Sequence, residues 1–154
     1  MSAEASVVIQ VEGVTIAYGE KVVQKDISFE VRRGEVFVIL GGSGCGKSSL
    51  LKNMIGLYKP ATGRILFDGE DIVTAEGEDR LRLLRKFGVM YQSGALFGSM
   101  TVLENVCLPL DEYTDLGTAE KELIAAAKLN QVSLLGAAAQ KPSALSGGMQ
   151  KRAG

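Results

Sequence analysis

Residues 41–48 read Gly41-Gly42-Ser43-Gly44-Cys45-Gly46-Lys47-Ser48, a glycine-rich stretch that fits the pattern G-x-x-x-x-G-K-[ST]. The five residues before it, VFVIL at 36–40, form an unbroken β-branched and aromatic run, which predicts a parallel strand covered on both faces. After it, apolar residues at positions 50, 51, 54 and 55 recur at helical spacing as far as Gly56, a residue suited to a helix end. A strand, a glycine loop and a helix in this order predict a cradle for phosphate groups.

The loop has the chemistry that polyphosphate binding requires. Its glycines let the backbone approach the ligand and turn successive N–H groups inward, while the following helix adds the positive end of its dipole. Lys47 supplies a full charge for the β- and γ-phosphates, and the Ser48 hydroxyl is placed to ligate magnesium. The alternative is a chance glycine-rich turn, and the two flanking elements favour phosphate binding over it.

The composition limits the classes of protein to consider. The 154 residues are 46% hydrophobic and 23% charged, which excludes a disordered tail or a fibrous protein. There are 17 basic and 18 acidic residues and no histidine, so no global field favours nucleic acid or anionic lipid as a partner. Two cysteines are too few for a disulfide framework, which favours a reducing compartment. No leader and no membrane-spanning run is expected, so any work at a membrane needs a partner.

The chain before the loop is expected to form an antiparallel β layer. Strands are predicted at residues 7–12, 14–17 and 27–31, and Asp68-Gly69 gives a strong hairpin signal after a strand at 64–67. Tyr18 ends one of these strands. It is either a half-buried strand-end tyrosine or a flat platform for stacking adenine.

A helix is predicted over residues 76–86. Its leucines at 81 and 84 are expected to face inward, and its basic residues at 80, 82, 85 and 86 mostly outward. Residues 87–91 then read as a second buried strand with Gln92 at its carboxyl end. Ligands of doubly wound sheets bind beyond the carboxyl ends of strands, so Gln92 either reaches a metal or water near the nucleotide or closes a loop.

The composition changes from Ser93 onward, where a small helical insert is predicted. Apolar residues at 95, 96, 97 and 100 occupy a predicted loop, so they are either covered by this chain's own helices or form a docking surface. Thr101 and Glu104 make a capping box that opens a helix through Leu108. A further helix is predicted over 118–130, with residues 123, 124 and 127 on one side.

A second anion site is predicted near the end of the chain. Ser146 is a good helix N-cap, and Gly147 and Gly148 leave backbone N–H groups uncovered in the first turn. Alone, this signal is weak. It gains force because it follows a phosphate loop, a strand-end glutamine and a helical insert.

These motifs, in this order, resemble the nucleotide-binding subunits of ABC transporters over essentially the whole chain. Tyr18 falls at the adenine-stacking aromatic of the family, residues 41–48 at Walker A, Gln92 at the Q-loop, and LSGGM at 145–149 at the signature motif. The resemblance implies that ATP and Mg²⁺ are the ligands, with Lys47 and Gln92 as catalytic residues and Ser48 and Gln92 as metal ligands. It assigns nucleotide contacts to Tyr18, Gly41, Gly42, Ser43, Gly44, Cys45, Gly46, Lys47, Ser48, Ser49, Ser146, Gly147 and Gly148.

The resemblance also implies an α/β fold of the P-loop NTPase class, with a parallel sheet core, an N-terminal antiparallel β layer and an α-helical subdomain. The β layer and P-loop core would occupy residues 1–92, and the helical subdomain and the start of the signature helix would occupy 93–154. In this family two such domains face each other, each ATP lying between the Walker A motif of one and the signature motif of the other. A homodimer is therefore expected.

Within the family, YQSGALF at 91–97, TVLENV at 101–106 and Met149 look like the Mla-type lipid-transport ATPases. The expected function is to couple ATP binding and hydrolysis to phospholipid movement, at the cytoplasmic face of the inner membrane. The expected partners are a transmembrane permease, received by the loop after Gln92, and a Mce-type lipid-binding protein.

The chain stops at Gly154, before the family's Walker B strand, catalytic glutamate and switch histidine. The resemblance therefore implies a C-terminally truncated domain, and ATP hydrolysis is expected of the full-length protein. Two alternatives are considered beside lipid transport. One is a soluble ABC-type ATPase acting on nucleic acid or ribosomes, which the neutral charge balance disfavours. The other is a fragment that binds nucleotide without turnover.

Overall fold

A computed structural model describes residues 6–92 and 94–154 of the chain. They form two compact units, one ending at Gly88 and the other running from Val89 to Gly154. The sequence-based expectation of no N-terminal leader falls largely on residues 1–5, and part of the loop prediction falls on Ser93; both lie outside the described residues.

The first unit is built on a four-stranded antiparallel sheet. Strand β1 is Val7–Tyr18, β2 is Lys21–Arg32, β3 is Thr62–Phe67 and β4 is Glu70–Asp71, in the order β2-β1-β3-β4. The two strands predicted at 7–12 and 14–17 are one strand, which passes through Gly13 with an irregular register. The predicted antiparallel layer is confirmed.

Local turn chemistry produces the β3–β4 hairpin. Asp68 and Gly69 both have positive φ values, 48° and 81°, as a two-residue turn between twisted strands requires. The hairpin predicted at Asp68-Gly69 is confirmed.

Helix α1, Lys47–Met54, packs on the sheet. Its Leu50 and Met54 are buried in a core with residues of β1, β3, α2 and the segment after β4, namely Val11, Val14, Ile16, Ile65, Phe67, Ile72 and Leu83. Ile27 and Phe29 of β2 are partly buried and pack against this core. The helix ends where Gly56, at φ 70°, donates to the carbonyl of Asn53 at 3.0 Å, while Leu57 N–H donates to Lys52. This is a Schellman ending, as the position of Gly56 predicts.

Helix α2, Gly77–Leu84, confirms one of the two leucines predicted to face inward, because Leu84 is half-buried against the core, and corrects the other. Leu81 is 40% exposed, whereas Leu83 is 1% exposed and belongs to the core. The spacing of the leucines allowed either face, and the contact with the sheet selects Leu83. Arg80 is also turned partly inward, because its guanidinium donates to the carbonyls of Ile72 and Gly56.

The two apolar runs predicted as buried parallel strands, residues 36–40 and 87–91, form no ladder with any described strand. Val36 is 89% exposed, Leu40 85% and Met90 71%. The residue types favour extended structure, but a strand also needs a neighbour to pair its N–H and C=O groups. Every strand in the described part of the chain belongs to the antiparallel sheet, so the prediction was wrong for these two runs.

The second unit is helical. It contains α3, Val102–Tyr113, α4, Thr118–Gln131, and α5, Gly147–Ala153, with short helical turns at Leu135–Ala137 and Pro142–Ala144. The capping box that opens α3 is confirmed: Thr101 N–H donates to Glu104 Oε2 at 2.6 Å, and Glu104 N–H donates to Thr101 Oγ1 at 3.2 Å. The helix continues past the predicted end at Leu108 and through Pro109.

The face predicted for α4 was wrong for two of its three residues, while the third, Ile124, is half-buried. Leu123 is 73% exposed and Ala127 is exposed, while Ala125 and Leu129 are buried. Leu129 packs with Val102, Leu134, Ala137 and Leu145. These partners come from other elements, so the sequence of α4 alone did not show which stripe they would cover. Among the described residues, no helix combines the length and apolarity that crossing a bilayer would need.

Candidate nucleotide-binding site

The loop at residues 41–46 leads directly into the first turn of α1. Gly46 is the residue before the helix and has φ 97°, in the left-handed region. A Cβ there would lie 2.9 Å from Val23 Cγ1 and 3.0 Å from Gln24 Cγ, both on β2. Only glycine fits this backbone and this approach without displacement.

The loop and helix enclose a cavity of about 400 Å³ at the N-terminus of α1. Its lining residues are Val23, Ser43, Gly44, Gly46, Lys47, Ser48 and Ser49. Backbone N–H groups in the first turn of a helix have no partner within the helix. The cavity therefore combines the helix dipole, small side chains, three hydroxyl groups and one ammonium group, which together suit an anion.

Lys47 is folded over the loop. Its Nζ donates to the carbonyl oxygens of Gly41 and Gly42, both at 2.7 Å, and lies 3.6 Å from Cys45 Sγ. These acceptors are neutral, whereas a phosphate oxygen would add the attraction between opposite charges to the hydrogen bond. A phosphate in the cavity can therefore compete for the Lys47 ammonium.

Gln24 on β2 holds the loop from the other side. Its Nε2 donates to the carbonyl of Cys45 at 3.2 Å, and its Oε1 is buried and has no hydrogen-bond partner among the described residues. Gln24 belongs to no motif, so the sequence did not indicate its role. The turn residues Gly19-Glu20 were the one indication in the sequence, because they predict a β1–β2 hairpin. In the structure the register of that hairpin places Gln24 opposite Ile16.

Tyr18 stands at the end of β1, beside α1. Its hydroxyl donates to Ser49 Oγ at 3.3 Å, and its ring makes an edge-to-face contact with Tyr58, with centroids 6.2 Å apart. The side chain is half-exposed. This environment fits both interpretations left open by the sequence, a half-buried tyrosine at a strand end and a ring surface open to a base, so adenine stacking stays a prediction.

The protein donors fit a magnesium ion held chiefly by the nucleotide. Within residues 6–92 and 94–154, no group of three or more His, Cys, Asp or Glu residues could hold a metal. Ser48 lines the cavity through its exposed side chain. Mg²⁺ in such sites is held by few protein groups together with phosphate oxygens and waters, so a hydroxyl without a carboxylate cage is an adequate contribution.

The remaining predicted site residues lie in the second unit. Gln92 is exposed, as are Ser146, Gly147 and Gly148. Ser146 caps α5 as predicted, because its Oγ accepts the N–H of Met149 at 3.3 Å. The structure thus brings Tyr18 and Ser49 together with the loop, whereas the approach of Gln92 and of Ser146–Gly148 to a nucleotide stays a prediction.

The apolar loop after Gln92 lines a groove in the second unit. Its volume is about 230 Å³, and its lining includes Tyr91, Gly94, Ala95, Leu96, Phe97, Asn105, Leu108 and Pro109. Leu96 and Met100 are half-buried, but Phe97 is 57% exposed. The loop is therefore only partly covered by the chain's own helices.

Comparison with known proteins identifies close relatives. Residues 24–154 match the family profile described as "ABC transporter". The chain is 43% identical over 148 residues to the "Probable ribonucleotide transport ATP-binding protein mkl" of Mycobacterium leprae, which covers 96% of this chain and 43% of that protein. It is 42% identical over 146 residues to the "Intermembrane phospholipid transport system ATP-binding protein MlaF" of Escherichia coli K12, which covers 94% of this chain and 54% of that protein. The chain spans about half the length of these relatives.

Solved structures show the same fold. The ATP-binding cassette MJ0796, in a dimeric post-hydrolysis state bound to ADP and Pi, superposes with a TM-score of 0.85 at 31% identity, covering 94% of this chain and 66% of that one. CbiO1 from Clostridium perfringens superposes with a TM-score of 0.79 at 30% identity, covering 97% of this chain and 59% of that one. The predicted fold class, a P-loop NTPase, is confirmed by these neighbours.

Proposed function

The chain belongs to the ABC transporter family as an ATP-binding subunit, and we propose that it couples ATP binding and hydrolysis to phospholipid transport. The observation that carries the nucleotide part is the cavity at the N-terminus of α1, which the Lys47 ammonium borders and small residues line. The family match over residues 24–154 supports ATP as the ligand.

Each residue of the loop has a proposed task. Backbone N–H groups of residues 41–46 surround the phosphates, and Lys47 exchanges its two carbonyl acceptors for oxygens of the β- and γ-phosphates. Ser48 gives its hydroxyl to Mg²⁺, which offsets phosphate charge when bound. Tyr18 stacks on the adenine, and Ser49 stays close to both the ring and the phosphate loop.

Two further contacts are proposed from the second unit. Gln92 is positioned at the metal or the attacking water, and Ser146–Gly148 contact the nucleotide of a second copy of the subunit across a homodimer. The dimeric state of the neighbour MJ0796 supports this arrangement.

Phospholipid is the proposed cargo of the transporter. The printed names of the relatives differ on this point, since mkl is called a probable ribonucleotide transport protein and MlaF a phospholipid transport protein. The Mla-type residues at 91–97 and 101–106 favour phospholipid. We propose that the groove bordered by Phe97 receives the transmembrane permease at the cytoplasmic face of the inner membrane, with a Mce-type protein as lipid-binding partner.

A second candidate function, nucleotide binding without turnover, has one observation in its favour. Residues 36–40 and 87–91 flank the two nucleotide motifs and are unpaired and largely exposed in the described part of the chain. The first segment leads into the phosphate loop and the second into Gln92. Groups that follow unpaired segments are poorly preorganised for catalysis. This candidate retains ATP binding and predicts no Lys47-dependent hydrolysis by the isolated chain.

The test measures MgATP binding and hydrolysis by the chain and by Lys47→Ala, with Lys25→Ala as a matched control because Lys25 is an exposed lysine on β2. Loss of a charged hydrogen-bond donor should weaken ATP binding roughly 10- to 100-fold, while the control binds normally. Equal ATP binding by wild type and Lys47→Ala would contradict the proposed site.

The cargo is tested in vesicles that contain the permease. ATP-driven transfer of a fluorescent phospholipid, absent with Lys47→Ala, would support lipid transport. ATP-driven uptake of a ribonucleotide with no lipid transfer would favour the function named for mkl and overturn the lipid proposal.

A further inference from the structure

We propose that Tyr58 is a positioning residue of the nucleotide site, which orients the ring of Tyr18 and so sets affinity for the base and not for the phosphates. The inference rests on the proposed stacking of adenine on Tyr18. Tyr58 lies outside every nucleotide-binding motif of the sequence.

Tyr58 is fixed to the helix that carries the phosphate loop. It lies just beyond the end of α1, where its N–H donates to the carbonyl of Lys52 at 3.2 Å. The Lys52 ammonium lies 5.6 Å from the centre of the Tyr58 ring, close enough for a cation–π attraction. Two contacts therefore connect Tyr58 to α1: a hydrogen bond from its backbone N–H and the Lys52 ammonium over the face of its ring.

The contact between the two tyrosines is geometrically specific. Their ring planes meet at 87° with centroids 6.2 Å apart, within the range of favourable edge-to-face pairs. In either edge-to-face arrangement, Tyr58 leaves at least one face of Tyr18 uncovered. That face is available for a base, and Tyr18 is 47% exposed.

The ring of Tyr18 needs contacts from other residues to fix its orientation, because the end of β1 restrains it little. It is the last residue of β1 before the Gly19-Glu20 turn, and a half-exposed side chain there is free to change rotamer. The hydroxyl bond to Ser49 at 3.3 Å holds the tip of the ring, and the Tyr58 contact restrains its plane. Restraining a ring before binding lowers the entropy cost of stacking.

Both restraints come from α1. Ser49 belongs to its first turn and Tyr58 follows its end, so the helix that places the phosphate loop also places the base platform. This predicts a division of labour: loss of Tyr58 affects a ligand that has a base and spares a ligand that has only phosphates.

The experiment compares binding of MgATP and of tripolyphosphate to the wild-type chain, Tyr58→Ala and Tyr58→Phe. Tyr113→Ala is the matched control, because Tyr113 is 47% exposed against 46% for Tyr58 and lies in the second unit. Tyr58→Ala should bind ATP about two- to tenfold more weakly, the range that an aromatic pair contributes. Its affinity for tripolyphosphate should be unchanged, and Tyr58→Phe, which keeps the ring, should restore ATP binding.

Three results would overturn the inference. Unchanged ATP affinity in Tyr58→Ala would do so while leaving the proposed function intact. Equal losses for ATP and tripolyphosphate would show that Tyr58 acts on the loop or on folding, which a thermal unfolding curve of the variant would separate. Wild-type chain that binds neither ligand, or binds tripolyphosphate as tightly as ATP, would contradict the proposed site or its base platform, and the inference with it.

Discussion

The side chain of Asn105 binds both backbone polar groups of Phe97: its Oδ1 accepts the Phe97 N–H at 2.7 Å, and its Nδ2 donates to the Phe97 carbonyl at 3.1 Å. The same Nδ2 also donates to the carbonyl of Thr101 at 2.8 Å. Asn105 is buried at 9% exposure. The Asn105 amide thereby connects α3 to the loop that carries the exposed Phe97.

Asn105→Ala is predicted to destabilise the second unit. The substitution removes the acceptor of the Phe97 N–H and the donor to the Phe97 and Thr101 carbonyls, which costs about 2 kcal/mol in the free energy of unfolding. Chemical denaturation would measure this loss. Asn130→Ala, at an exposed position on α4, is the control and should change the free energy by less than roughly 0.5 kcal/mol. Equal stability of the two variants would refute the role of the Asn105 contacts.

Phe97→Ala is predicted to weaken capture of the permease without unfolding the chain. Phe97 is 57% exposed beside the groove, so truncation removes little buried area and should leave stability nearly unchanged. Co-purification with the permease is the measurement. Leu123→Ala on α4 is the control, since Leu123 is 73% exposed and outside the groove lining. Full capture by Phe97→Ala would argue against docking at this loop.

The features that the sequence predicted correctly depend on neighbouring residues in the chain. The capping box of Thr101 and Glu104, the N-cap at Ser146 and the turn at Asp68-Gly69 all form as expected. Each of these features depends on hydrogen bonds or dihedral angles of residues within three positions of one another. The local sequence is therefore nearly sufficient to predict it.

The features that the sequence missed depend on distant partners. Leu83 is buried instead of Leu81 because of the sheet that faces α2, and residues 36–40 form no ladder because no described strand pairs with them. At the candidate site, Gln24 and Tyr58 reach the loop and Tyr18 only through the fold. No spacing rule in the sequence connects these residues to the loop.

Gly46→Ala is predicted to distort the phosphate loop. A Cβ in the left-handed region costs about 1–2 kcal/mol, and here it would also lie 2.9 Å from Val23 Cγ1. The variant should therefore lose both stability and nucleotide binding. Gly34→Ala separates the two effects, because Gly34 also has a positive φ, 80°, yet a Cβ there meets nothing within 4 Å. Similar losses in both variants would mean that strain alone, and not the contact with β2, is responsible.

Glu70 is predicted to give the first unit part of its acid sensitivity. Hydrogen bonds from Arg82 and Lys86 lower the pKa of Glu70 from 4.5 to about 2, and Lys86 Nζ lies 2.9 Å from the carboxylate. A carboxyl whose pKa is lower in the folded state contributes its full stabilisation above pH 4.5 and loses it as the pH falls towards 2. Glu70→Gln should therefore show a shallower decline of the unfolding free energy between these pH values. Glu78→Gln, exposed on α2, should keep the wild-type slope, and an unchanged slope in Glu70→Gln would show that its ion pairs do not stabilise the fold.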